Sequence, residues 1–100
     1  MSNAVMNTYG RLDVAFTQGN GPWLTDENGR RYLDALSGIG VVALGHAHPA
    51  VAETLSSQAG QLLHTSNLYQ IPAQIELAER LTKIANMDNA FFANSGAEAN

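Results

Sequence analysis

The seven residues Asn94-Ser95-Gly96-Ala97-Glu98-Ala99-Asn100 constrain this chain more than any other stretch. They follow a short apolar run, Ala90-Phe91-Phe92-Ala93, which reads as a strand, and their small residues read as a tight turn entering a helix. The first amides of a helix have no partner inside it, and the helix dipole adds roughly half a positive charge there. A strand that delivers the chain into a helix start therefore creates an anion site. Gly96 lacks the Cβ that would hold a phosphate away from the backbone, Ser95 offers a hydroxyl, and Ala97 a further N–H. The stretch has neither the Gly-Lys-Ser/Thr of a P-loop nor the GxGxxG of a dinucleotide fingerprint. On these residues alone it either holds a phosphate or packs a helix closely on a strand.

The whole chain is 100 residues long, enough for one small domain. With 45% hydrophobic and 14% charged residues it has the make-up of a globular protein, not a disordered one. A net charge of −4 argues against non-specific binding to nucleic acid or anionic membrane, and the basic residues Arg11, Arg30, Arg31, Arg80 and Lys83 form no patch. The absence of cysteine excludes disulfides, thiolate metal sites and a cysteine nucleophile. No apolar run approaches the roughly 20 residues of a membrane span, and Met1 to Met6 lack the basic start and apolar core of a signal peptide. A cytoplasmic location is the expectation.

Residues 1–12 read as a lead-in without regular structure. Three short strands are predicted after it, at Val14–Thr17, Pro22–Thr25 and Arg31–Asp34. They are separated by the turn sequences Gly19-Asn20-Gly21 and Asp26-Glu27-Asn28-Gly29, so the segment should be a small antiparallel meander. Ser37 to Gly45 is almost uncharged, and Gly38, Gly40 and Gly45 imply backbone freedom or close approach. It is either a buried connector or the wall of a ligand pocket. Pro49 and Pro72 each suit the first turn of a helix. The first helix carries Ala52, Leu55, Ala59 and Leu62 on one stripe, and Gly60 weakens its last turns; the second carries Leu77, Leu81 and Ile84, with Glu76–Arg80 and Glu79–Lys83 at i,i+4 spacing.

Few side chains suggest chemistry by themselves. No Asp or Glu lies between Asp34 and Glu53 in the sequence to complete a ligand set for His46-x-His48, so capping or loop packing is favoured over a metal. Asp26, Glu27 and Asp34 fall in turns or at strand ends and read as solvated. Lys83 has Glu79 four residues before it and reads as half of a surface ion pair.

Four stretches nevertheless occur together in an order and spacing that resemble the class III aminotransferases, the pyridoxal-phosphate enzymes of fold type I. They are Tyr32-Leu33-Asp34-Ala35-Leu36-Ser37-Gly38-Ile39-Gly40, Leu44-Gly45-His46-Ala47-His48-Pro49, His64-Thr65-Ser66-Asn67-Leu68-Tyr69 and Phe91-Phe92-Ala93-Asn94-Ser95-Gly96-Ala97-Glu98-Ala99-Asn100. The resemblance spans the chain from Tyr9 onward and is strongest to the branch acting on acetylornithine, with its succinylornithine relatives. It implies an α/β protein in which residues 1–35 are the lead-in and meander of a small domain. Residues 36–100 would be the loop, the interface helices and the start of a large, mostly parallel-sheet cofactor domain.

The resemblance also implies that Ser95, Gly96 and Ala97 hold the phosphate of pyridoxal 5′-phosphate, and that Ile39 and Gly40 lie beside the substrate. Ornithine δ-aminotransferases resemble this chain but have a tyrosine at the position of Ile39, where it meets the free α-amino group. An apolar Ile39 fits an acylated donor. Asn67 and Tyr69 are expected at the edge of the active site in a homodimer. The Schiff-base lysine, the aspartate on the pyridine nitrogen and the carboxylate-binding arginine of such enzymes lie well after the phosphate turn. Lys83 precedes that turn, so no catalytic residue is assigned here, and the chain resembles an N-terminal segment. The expected activity of the parent moves an amino group from N-acetylornithine to 2-oxoglutarate in arginine biosynthesis, with no metal, nucleic acid or membrane involved. The alternatives are succinylornithine, ornithine or 4-aminobutyrate as donor, or a non-catalytic fragment.

Overall fold

The computed structural model describes residues 4–100; the first three residues of the lead-in lie outside the described residues. Two compact units, residues 1–61 and 62–100, are described separately.

The first unit is built on a three-stranded antiparallel sheet, β1 (Phe16–Asn20), β2 (Trp23–Asp26) and β3 (Arg31–Leu33), in the order β1-β2-β3. The meander is as expected, but β1 starts later and runs through Gly19 and Asn20. Asn20 faces Trp23 across the ladder, which leaves only Gly21 and Pro22 for the loop. Gly21 supplies the positive φ (54°) that so tight a connection needs. The second connection is the predicted type I turn closed by a left-handed glycine, with Gly29 at φ 79° and its N–H donating to the Asp26 carbonyl.

Asp26 organises that connection and is the one polar residue buried among the described residues. Its Oδ1 accepts the amides of Asn28 (2.9 Å) and Arg30 (2.8 Å), and its Oδ2 accepts the Tyr32 hydroxyl (3.1 Å). The expectation of a solvated carboxylate is therefore corrected: Asp26 replaces water with three donors from its own hairpin. The Arg30 amide, helped by the Tyr32 hydroxyl, holds its pKa below the ordinary value against the opposing effect of burial. Phe16 packs edge-on against Tyr32 with ring centroids 5.3 Å apart, and the Arg31 guanidinium lies 4.6 Å from the centre of the Trp23 ring.

Helix α2 (Pro49–Ala59) begins at its proline, and the preceding His48 is extended, as pre-proline residues prefer. It stops at Gly60, so Leu62 falls beyond the helix and not on its stripe. In the second unit α3 (Pro72–Ala85) also starts on proline. It ends at Asn86, which adopts φ 53° and returns its N–H to the Thr82 carbonyl, a helix stop that asparagine tolerates nearly as well as glycine. The Glu76–Arg80 pair forms at 2.6 Å on the exposed surface, where it contributes a few tenths of a kcal/mol, whereas Glu79–Lys83 is not made.

The expectation of a Lys83 ion pair thus fails, and so does one strand. Residues 90–93 are not a strand; they have no ladder partner, and extended backbone becomes a strand only by pairing. The same shortage shows in the side chains. Among the described residues no apolar side chain is fully buried, and Leu55, Leu77, Leu81 and Ile84 all remain exposed.

The Asp26 link has a definite pH signature in the full-length protein. Its lowered folded pKa stabilises the hairpin fully above about pH 5, and the contribution is lost as pH falls through the unfolded value near 4 towards the lower folded one. In urea titrations Asp26→Asn should be milder than Asp26→Ala at pH 7, because the amide oxygen still accepts from Asn28 and Arg30. The gap between wild type and Asp26→Asn should narrow from pH 5 downward. A gap that widens towards acid would contradict this role.

Candidate functional site

The glycine-rich loop of the first unit is wound the unusual way. Ser37, Gly38, Ile39 and Gly40 have φ of 51°, 61°, 65° and 75°, so the short turn α1 (Ser37–Gly40) is a left-handed turn of helix. The Ile39 and Gly40 amides donate to the Leu36 carbonyl (2.9 and 3.2 Å), and those of Val41 and Val42 to the Ser37 carbonyl (2.9 and 3.0 Å). Glycine takes these angles without penalty, but Ser37 and the β-branched Ile39 lose roughly 1–2 kcal/mol each by doing so. The Ile39 side chain is 84% exposed and gains little from packing in return. Backbone strain of this kind clusters at functional segments in proteins generally.

Asp34, at the end of β3, holds the loop. Its Oδ1 accepts the amides of Leu36 (3.0 Å) and Ser37 (2.9 Å), and its Oδ2 lies 2.6 Å from Nε2 of His46. The His46 hydrogen bond is the main cause of a lowered Asp34 pKa, with the Ser37 amide adding to it. The ionised carboxylate accepts throughout, which assigns the hydrogen to Nε2 of His46. The Asp34 side chain is only 8% exposed, so the expectation of a solvated surface carboxylate is again corrected. The reading of His46 as a loop-packing residue holds. Among the described residues no group of three or more His, Asp or Glu could hold a metal ion.

The loop also returns to the hairpin it leaves. His46 and Gly21 exchange backbone hydrogen bonds in both directions at 2.9 Å, and the Asp34 amide donates to the Pro22 carbonyl at 2.8 Å. This approach requires Gly45, at φ 82°, because a Cβ there would stand 3.0 Å from the Gly21 backbone. Beyond it, Val42, Leu44, His48, Val51 and Leu55 line an apolar groove of about 430 Å³. The loop is thus both a connector and the wall of a pocket.

In the second unit Ser95 caps α4 (Gly96–Ala99). Its Oγ accepts the Glu98 amide at 3.3 Å and donates to the Glu98 carboxylate at 2.9 Å. The Ser-x-x-Glu spacing is that of a capping box, but only its serine half forms: the Glu98 carboxylate meets the Ser95 hydroxyl and not the Ser95 amide. The cap leaves the amides of Gly96 and Ala97 without a helical partner, and a Cβ at Gly96 would meet no atom within 4 Å. The cradle is therefore open and carries backbone donors of the kind a phosphate uses. Asn67 and Tyr69 are both exposed, in a turn where the Tyr69 amide donates to the Ser66 carbonyl at 3.3 Å.

The family model for class-III aminotransferases matches residues 4–100, and the chain belongs to that family of pyridoxal-phosphate enzymes. Its relatives include acetylornithine aminotransferase 1 of Bordetella parapertussis, 54% identical over all 100 residues, which make up 25% of that protein. A crystal structure of N-acetylornithine aminotransferase from Stenotrophomonas maltophilia matches 93% of the chain with 38% identity and a TM-score of 0.84, over 26% of its own length. An ornithine aminotransferase from Toxoplasma gondii, whose structure shows partial occupancy of pyridoxal phosphate at its active site, matches 97% with 29% identity and a TM-score of 0.91, over 23% of its length. The chain thus spans about a quarter of the length of these relatives. The fold-type-I expectation is met. The ornithine enzyme superposes no less well than the acetylornithine one, so the backbone alone does not select the donor.

The loop geometry can be checked by a pair of glycine substitutions in the full-length protein. Gly45→Ala should destabilise by about 1–3 kcal/mol, from its positive φ and its contact with Gly21. Gly60→Ala, at φ −76° with its nearest atom at 3.5 Å, should be neutral or slightly stabilising. Urea midpoints read both, and equal effects would refute the close approach.

Proposed function

We propose that the parent protein is an aminotransferase that moves an amino group from N-acetylornithine to 2-oxoglutarate in arginine biosynthesis. The observation that carries this reading is the 54% identity to an acetylornithine aminotransferase over the whole chain, with Ile39 displayed on its left-handed turn. Ser95, Gly96 and Ala97 are the proposed phosphate grip: the cap fixes the helix start, and the two amides are the anion donors. Pyridoxal phosphate, when bound, supplies the electron sink through which an amino group passes between two substrates. The residues of this chain anchor its phosphate and shape the donor side of the pocket. The chemistry-bearing lysine, aspartate and arginine belong to the rest of the parent.

Ile39 and Gly40 are assigned beside the donor. An apolar side chain there offers nothing to a free ammonium group and accepts an acylated nitrogen without leaving a charge unpaired. Asn67 and Tyr69 are proposed to lie at the active-site edge where a second subunit meets this one. The uncovered stripes of α2 and α3 fit a chain whose remaining elements supply the cover. Residues 1–35 are accordingly placed with a small domain and residues 36–100 with the large one. Among the described residues no helix is long and apolar enough to cross a membrane, and a cytoplasmic location suits this reading.

The test is a donor panel on the full-length protein with 2-oxoglutarate as acceptor. N-acetylornithine should exceed ornithine, succinylornithine and 4-aminobutyrate in kcat/KM. Ile39→Tyr should lower the acetylornithine-to-ornithine ratio by about tenfold or more, roughly 1.4 kcal/mol of discrimination. A wild-type preference for ornithine, or a ratio indifferent to Ile39→Tyr, would defeat the assignment.

A further inference from the structure

A left-handed turn that contains a serine and an isoleucine does not hold itself. Left free, Ser37 and Ile39 return to negative φ, and the position of the Ile39 side chain is lost. Four hydrogen bonds inside the turn close it locally, but they end on Leu36 and Ser37, which must themselves be fixed. The groups that fix them lie outside the turn. Asp34 takes the Leu36 and Ser37 amides on one carboxylate oxygen and Nε2 of His46 on the other. His46 is anchored by its two-way backbone pairing to Gly21, and Asp34 by its amide to Pro22. Both ends of the loop are therefore tied to one hairpin corner and to each other. Neither side chain is displayed as Ile39 is: those of His46 and Asp34 are 22% and 8% exposed.

We propose that Asp34 and His46 are positioning residues for donor selection: their link holds the left-handed turn Ser37–Gly40, and through it the place of Ile39. This rests on the proposed role of Ile39 beside the donor. Asp34 and His46 touch no reacting atom. Their effect is on where an apolar side chain stands, so it falls on discrimination between donors more than on turnover.

The chemistry of the link dictates the variants. His46→Gln can still present an amide N–H to the Asp34 carboxylate, whereas His46→Ala leaves that carboxylate oxygen without its partner. Gly19 provides an independent route, because a Cβ there would lie 2.5 Å from Cβ of His46 and push the histidine away with both partners chemically intact.

The experiment uses the full-length holoenzyme and reads the ratio of kcat/KM for N-acetylornithine to that for ornithine. This ratio is indifferent to the fraction of active protein, so a merely structural loss cancels. His46→Ala and Gly19→Ala should each lower it about tenfold or more, and His46→Gln should keep it within about threefold of wild type. Amide hydrogen exchange across residues 36–42 is the second readout and needs no donor at all. It should quicken about tenfold or more in His46→Ala and Gly19→Ala but not in His46→Gln. Should His46→Ala fail to fold, Gly19→Ala and His46→Gln carry both readouts. An unchanged ratio together with unchanged exchange would overturn the proposal. A wild-type enzyme that prefers ornithine would refute the reading of Ile39, and the exchange data would then decide the positioning link separately. Faster exchange with an unchanged ratio would mean that the link holds the turn but does not select the donor, which also overturns the proposal.

Discussion

A single carboxylate, Asp34, decides the shape of the first unit. Placed at the end of β3, it turns one oxygen to the amides of Leu36 and Ser37 and the other to His46. Charge-assisted hydrogen bonds are stronger than neutral ones, and one formed away from water is worth more again. Here they offset the conformational cost of a turn that L-residues avoid. Asp26 does the equivalent for the hairpin before it, with the Asn28 and Arg30 amides and the Tyr32 hydroxyl. In a chain with no buried apolar side chain among its described residues, such local polar organisation defines the backbone.

That division of labour explains what could be seen in the sequence. The meander, the Asp26–Gly29 turn and the proline starts of α2 and α3 depend on neighbours in the chain, and they were legible. One failure depends on distant partners. Ala90–Ala93 has strand-like residues, but a strand is a property of a ladder, and its ladder is not within these residues. The solvated readings of Asp26 and Asp34 failed because carboxylates at turns were judged by residue type alone. An aspartate ahead of a glycine-rich loop is an acceptor waiting for amides, and that signal was available. The Ser95 cap was equally visible in the Ser-x-x-Glu spacing.

The helix start at Ser95 and the turn at Ser37–Gly40 show two kinds of local preparation. At Ser95–Ala97 the preparation consists of leaving donors unused: the cap fixes the helix start, and two amides stay open. At Ser37–Gly40 it consists of holding a strained turn so that one apolar side chain is displayed. Family membership follows from the match across residues 4–100, which cover about a quarter of the length of the relatives.

The account stands most directly on the conformation of Ser37–Gly40 in the assembled protein. A high-resolution structure of the full-length protein with pyridoxal phosphate bound would measure it. The account predicts that Ser37 and Ile39 keep positive φ and that Nε2 of His46 remains within hydrogen-bond distance of Asp34. A turn with negative φ at Ile39, or an Asp34 carboxylate facing solvent with His46 turned elsewhere, would contradict it.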